Sequence, residues 1–223
     1  TTEAAFEPEP LRAALGEAVA QSFNRITVDG DMSTNDSVIL LANGLADNPR
    51  ITRHHLPASL IPGSRRHPRP ASGPARDYAI FQSALNHVCL DLAQQIVRDG
   101  EGVSRFVTVR VEGALSFSEA DAAARAVANS AWVKPSWCGG DPNWGRILGA
   151  LGYSPARIVE AKIDLGYSRP GRSKIVWALR NGQPASTPFT ALCEIVADRE
   201  FDLHIHLNLG PASAVIYAAD LTE

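Results

Sequence analysis

The apolar period changes abruptly across Arg98-Asp99-Gly100-Glu101-Gly102, and this restricts the fold more than any other feature of the chain. Before it, Tyr78, Phe81, Leu85, Val88, Cys89, Leu92 and Ile96 recur at three- and four-residue steps, the spacing of one helix face. After it, Val107, Val109 and Val111 alternate with Thr108 and Arg110, the two-residue period of a half-buried strand. A helix therefore ends and a strand begins at this hinge. Its glycines allow backbone angles that most residues avoid and leave Glu101 without bulky neighbours. Taken alone, the hinge reads as a helix C-terminus followed by a solvated acid; the same geometry can bring one carboxylate beside a small ligand.

Helix and strand signals alternate through the rest of the chain. Pro8-Glu9-Pro10 opens a helix carried by Leu11, Leu15, Ala18, Val19 and Ser22 to about Phe23. Arg25 to Val28 reads as a short strand, Asp29 to Asn35 as a polar turn, and Ser37 to Ala42 as a buried strand or helical start. Ser118-Glu119-Ala120-Asp121 resembles a capping box that starts an alanine-rich helix to Asn129. Trp132 to Asp141 reads as a loop, after which Asp141 or Asn143 caps a helix through Ile147. Strands follow over Ile158–Ile163 and Ile175–Leu179, then a helix from about Pro188 to Ala197. Two final strands carry Leu203 to Leu209 and Ala214 to Leu221. The order predicts an α+β fold, a layered sandwich of β-sheets covered by helices. We expect one main domain over 1–223, a smaller C-terminal lobe from about residue 155, and a long surface loop over 47–77.

Composition narrows the function classes. A net charge of −3 offers no basis for binding nucleic acid or an anionic membrane, and no apolar run reaches the roughly 20 residues of a spanning helix. Cys89, Cys138 and Cys193 are odd in number and have no zinc spacing, so reduced thiols in a cytoplasmic protein are expected. Cys89 lies on the apolar stripe and reads as core. No metal is expected: His54, His55 and His67 lie in the expected loop, and His204 and His206 share a strand face without a third ligand. Asp29 to Asp36 superficially resembles a calcium loop, but Thr34 and Leu40 occupy the positions that need Gly and Glu. P-loop, dinucleotide and nucleophile-elbow patterns are absent.

Four stretches taken in order are more specific than any one of them: Ser22-Phe-Asn-Arg-Ile-Thr-Val-Asp-Gly-Asp31, Ser33-Thr-Asn-Asp36, Ile96-Val-Arg-Asp-Gly-Glu-Gly102 and Asp141-Pro-Asn-Trp-Gly-Arg-Ile147. Together they resemble the β chain of the ornithine acetyltransferase family, the bifunctional glutamate N-acetyltransferases of arginine biosynthesis. Agreement extends to Lys134 and to Asp220-Leu-Thr222, whereas Pro49 to Asp77 is longer than the family pattern.

The resemblance implies the fold of self-processing acetyltransferases and aminopeptidases. It also implies autocatalytic cleavage of a precursor into α and β chains, and an α2β2 heterotetramer. The new N-terminal threonine would be the nucleophile, its own amine (pKa about 8) taking the hydroxyl proton. Acetyl would pass from N-acetylornithine to glutamate through an acetyl-threonine ester, freeing ornithine. The α chain would supply the oxyanion hole. No cofactor is implied; acetyl-CoA enters only as a further acetyl donor. Glu101 matches the family's substrate-binding glutamate, with Asn35, Asp36, Asn143 and Arg146 as further site candidates. Thr1-Thr2-Glu3-Ala4 matches a segment several residues beyond the family's nucleophile, so that threonine is expected upstream of residue 1 and is not Thr1. The rival readings are a related self-processing aminopeptidase or amidase, which would pass the acyl group to water, and a non-catalytic binding subunit.

Overall fold

The computed structural model describes residues 1–57 and 73–221, which form two compact units. The first comprises Thr1–Asn24 and Ser33–Ala93, the second Arg25–Met32 and Gln94 onward.

In the first unit, α1 (Pro8–Gln21) starts with prolines in its first turn, where no N–H is required. Its buried Ala14 and Ala18 are small enough for close packing. Ala14 joins Ile51, Leu56 and Tyr78 in a small core lined by Phe6, Phe81 and Leu85. The helix α2 (Pro74–Arg98) begins in this unit. Its Gln82 bridges the core, accepting from the Tyr78 hydroxyl at 3.0 Å and donating to the Ala14 carbonyl at 3.0 Å. Burial pushes the Tyr78 hydroxyl up to about 12. The segment after Thr1 bridges in parallel to Ala42 and Ile51.

Two expectations change here. Ser37–Ala42 is not buried: Ile39 is 74% and Leu41 60% exposed. An apolar run states what a segment would bury, not whether the covering surface is present. The region 47–77 is not wholly loop, since Ile51 and Leu56 are core, Arg53–His55 form a 3-10 turn, and α2 starts at Pro74. His67 and the middle of that region lie outside the described residues.

The second unit is a seven-stranded mixed sheet with four helices on its apolar face. Its strands are β1 (Ile26–Thr27), β2 (Phe106–Ala114), β3 (Asp164–Ser168), β4 (Val176–Arg180), β5 (Gln183–Pro184), β6 (Glu200–His206) and β7 (Ala212–Ala219), in the order β1-β7-β2-β6-β3-β4-β5. β2 is antiparallel to β7 and parallel to β6, pairing Val107, Val109 and Val111 with Phe201, Leu203 and Ile205. These six are fully buried against α3 (Phe117–Ala128), α4 (Val133–Cys138), α5 (Trp144–Gly152) and α6 (Phe189–Val196). The alanines of α3 (Ala120, Ala123, Ala124) let it approach closely. The opposite face carries charged pairs, Arg110 meeting Asp202 at 3.1 Å and Glu112 lying 3.5 Å from His206, and at one end a small apolar cluster of Phe106, Ala219 and Val97.

Several details correct the sequence reading. The cap of α3 is Ser116, which accepts from the Glu119 N–H; Ser118 lies inside the helix. Trp132–Asp141 contains α4, because Pro135 falls in the first turn, where a proline costs no helical hydrogen bond. The strand expected over 158–163 forms later, as β3, after a 3-10 turn at Glu160–Lys162. The chain beyond 155 is no lobe of its own, because its strands flank β2 on both sides. Along α2 the buried line is Tyr78, Gln82, Cys89, Ala93 and Val97, while Val88, Leu92 and Ile96 are about half exposed. Cys89 is core, and burial raises its thiol pKa.

Candidate functional site

The hinge is held firmly at both ends and exposed at its apex. On the helix side, Arg98 makes a fork to Glu200 at the start of β6, with N–O distances of 2.9 and 3.0 Å, and stacks 4.1 Å above the Phe106 ring. The chain then turns, the Val103 N–H donating to the Gly100 carbonyl at 3.2 Å. Gly102 takes a φ of 68°, as the third residue of a type II turn requires. Gly100 matters for space instead, since a Cβ there would come within 3.0 Å of Val28 and Val103, and only glycine lets the turn pack down. Glu101, between them, projects into solvent.

On the strand side, Ser104 is clamped by Asp220, at the end of β7. One carboxylate oxygen accepts the Ser104 N–H at 2.9 Å, the other its hydroxyl at 2.5 Å, and the Asp220 N–H donates to the Arg105 carbonyl at 3.1 Å. Asp220 is only 3% exposed. Beneath it lies Lys134 of α4, 1% exposed, whose ammonium donates to the Ala219 carbonyl. Burial lowers the Lys134 pKa to about 8, against the opposing pull of Asp220 and Asp29. The turn bearing Asp29 is therefore brought to the same pole of the sheet. It is anchored to α3 by Arg25–Asp121 at 2.5 Å and Thr27–Asn129 at 2.7 Å. Asp29 also accepts from the Asp31 N–H at 2.9 Å, as an Asp turn does.

A separate cleft of about 440 Å³ is lined by Trp132, Pro135, Asn143, Gly145 and Arg146. Asn143 caps α5 by accepting from the Arg146 N–H at 3.1 Å and donates to Asp141 at 2.9 Å, while the Arg146 side chain donates to the Trp132 carbonyl at 2.8 Å. The structure thus brings Asn143 and Arg146 together, but in a cleft whose lining does not include Glu101. Asn35 and Asp36 are exposed and belong to the first unit. On the polar sheet face His204 is buried and lies 2.9 Å from the Ser168 hydroxyl. Burial lowers its pKa, favouring neutral imidazole.

Sequence reasoning singled out Glu101 but missed Ser104, Asp220 and Lys134 as members of its surroundings. Lys134 and Asp220 lie in stretches that carried the family resemblance; nothing in their local pattern marks them as buried.

The polypeptide as a whole is matched by known proteins. The model described as the ArgJ family covers residues 1–223. The arginine biosynthesis bifunctional protein ArgJ of Symbiobacterium thermophilum is 41% identical over 222 residues, spanning 100% of this chain and 49% of that protein. The mitochondrial ArgJ of Cryptococcus neoformans is 37% identical over 228 residues, covering 100% of this chain and 47% of its own length. A crystal structure of ArgJ from Bacillus halodurans superposes with a TM-score of 0.82 at 33% identity, over 99% of this chain and 92% of that one. The chain spans about half the length of the curated relatives it matches. With a family match from end to end and a solved relative sharing its architecture, the chain belongs to the ArgJ family.

Proposed function

We propose that this chain is the β part of a glutamate/ornithine N-acetyltransferase that works with the α chain of the same precursor in an α2β2 assembly. The match to the ArgJ family over residues 1–223 is the observation that carries this reading. The glycine-flanked apex that exposes Glu101 at a rigid pole supports it locally.

In the proposed reaction a threonine hydroxyl, expected upstream of residue 1, attacks the acetyl carbonyl of N-acetylornithine. The C–N bond breaks, the amine takes the hydroxyl proton, and ornithine leaves behind an acetyl-threonine ester. The amine of glutamate then attacks the ester carbonyl, loses a proton, and departs as N-acetylglutamate while the hydroxyl is restored. Glu101 places a carboxylate where it can hold the ammonium groups of a diamino acid. Asn35, Asp36, Asn143 and Arg146 are further candidates for the site's surroundings, with neither metal nor cofactor in the scheme; acetyl-CoA is a second donor. A cytoplasmic location fits this chemistry. No helix among the described residues is long and apolar enough to cross a membrane.

The experiment is an intact-mass measurement on the complete enzyme given N-acetylornithine without acceptor. One chain is expected to gain one acetyl group at an N-terminal threonine, and added glutamate to remove it. A chain that stays unmodified under turnover would overturn the reading; an acetyl group lost to water as fast as to glutamate would favour the amidase instead.

A further inference from the structure

Lysine is an unusual choice for the interior beside α4. An apolar side chain of similar length could fill the space, and burying an ammonium costs several kcal/mol unless its surroundings compensate it. Here the compensation is specific. The Lys134 ammonium donates to the Ala219 carbonyl, and the charges of Asp220 and Asp29 oppose the fall in its pKa. Ala219 is the last β7 residue paired with β2, opposite Phe106. Asp220 follows directly and holds Ser104 through both carboxylate oxygens. From Ser104 the chain reaches Glu101 within one hydrogen-bonded turn. The helix side of the hinge rests on Arg98 and Glu200, which do not involve Lys134.

We propose that Lys134 is a positioning residue: its buried ammonium fixes the end of β7, so that Asp220 clamps Ser104 and sets where the turn presents Glu101 to the diamino-acid substrate. This inference rests on the reading of Glu101 as a substrate-binding residue. It deepens that reading by naming what fixes the carboxylate's place. Lys134 itself is too buried to touch substrate.

The test compares K134M and E101A with the parent, each as the complete two-chain enzyme, with N-acetylornithine as the varied substrate. For K134M, KM is expected to rise about tenfold while kcat changes by less than about threefold, the mark of lost ground-state positioning. Hydrogen exchange at the Ser104 amide is expected to speed up by about tenfold or more, with exchange elsewhere in β2 unchanged. If E101A raises KM and K134M does not, the inference is overturned. If neither variant moves KM, the substrate role of Glu101 falls. The Ser104 amide then decides the mechanical link alone: protection as in the parent overturns it, faster exchange upholds it. Should K134M fail to assemble, K134Q removes the buried ammonium while keeping a polar side chain there, and the same two readouts decide: an unchanged KM and parent-like protection at Ser104 overturn the inference, a raised KM and faster exchange uphold it.

Discussion

The two polar regions beside α4 are built on opposite plans. Around Lys134, charge is buried and its partners are fixed: Asp220 spends both carboxylate oxygens on one serine, and the lysine reaches a strand-end carbonyl. Around Asn143 and Arg146, polar groups line an open cleft and serve mainly to finish local structure, a helix cap and a side chain laid onto the Trp132 carbonyl. Trp132 itself is 75% exposed there. In the first region removing Asp220 takes an opposing charge from an ammonium that is only 1% exposed. In the second, water can replace what is lost. Both contain residues that a site could use, but only the first has the rigidity that holds a ligand-binding group in one position.

That contrast can be broken by mutation. The largest effect is expected for D220A, which leaves the Ser104 N–H without its acceptor and takes from the buried lysine a nearby opposing charge; a loss of roughly 3 kcal/mol is expected, read from denaturant unfolding. A loss below that expected in the open cleft would erase the distinction. Next comes pH. Because the Lys134 pKa is lowered from 10.5 to about 8, an unfolded chain binds between those values a proton that the folded chain has released. Stability attributable to this lysine therefore rises with pH through that window, by at most about 1.4 kcal/mol per pH unit. It is constant below the window, where both states are charged. The difference in unfolding free energy between parent and K134M, followed from pH 7 to 10, should show this slope; a flat difference would mean that the lysine is not desolvated as its burial implies. The smallest effect is expected for N143A, about 1 kcal/mol as for other helix caps, measured the same way. A larger loss would show the cleft to be as tightly coupled as the pole.

The parts legible from sequence were those where one physical signal dominated. The switch from a helical to an alternating period placed α2 and β2 correctly. Asn143 was one of two proposed caps because its side chain can accept from a free helical N–H. Where signals competed the reading failed. Pro135 between Trp132 and Gly139 suggested a loop, although proline suits a first helical turn. Gly166 and Ser168 hid β3, whose burial comes from neighbours far away in sequence. The pole was only partly visible: Glu101 stood out between glycines, but the Lys134–Ala219 and Ser104–Asp220 contacts join residues 85 and 116 positions apart. No local pattern encodes such distant partners.

The exposed stretch with Val38, Ile39, Leu41 and Leu45 carries a practical consequence. Oily residues in a row, with water on them, invite any similar stretch nearby to stack alongside. Produced by itself at high concentration, this polypeptide would tend to clump through that strip, and replacing Ile39 with lysine is the simplest way to keep it dispersed.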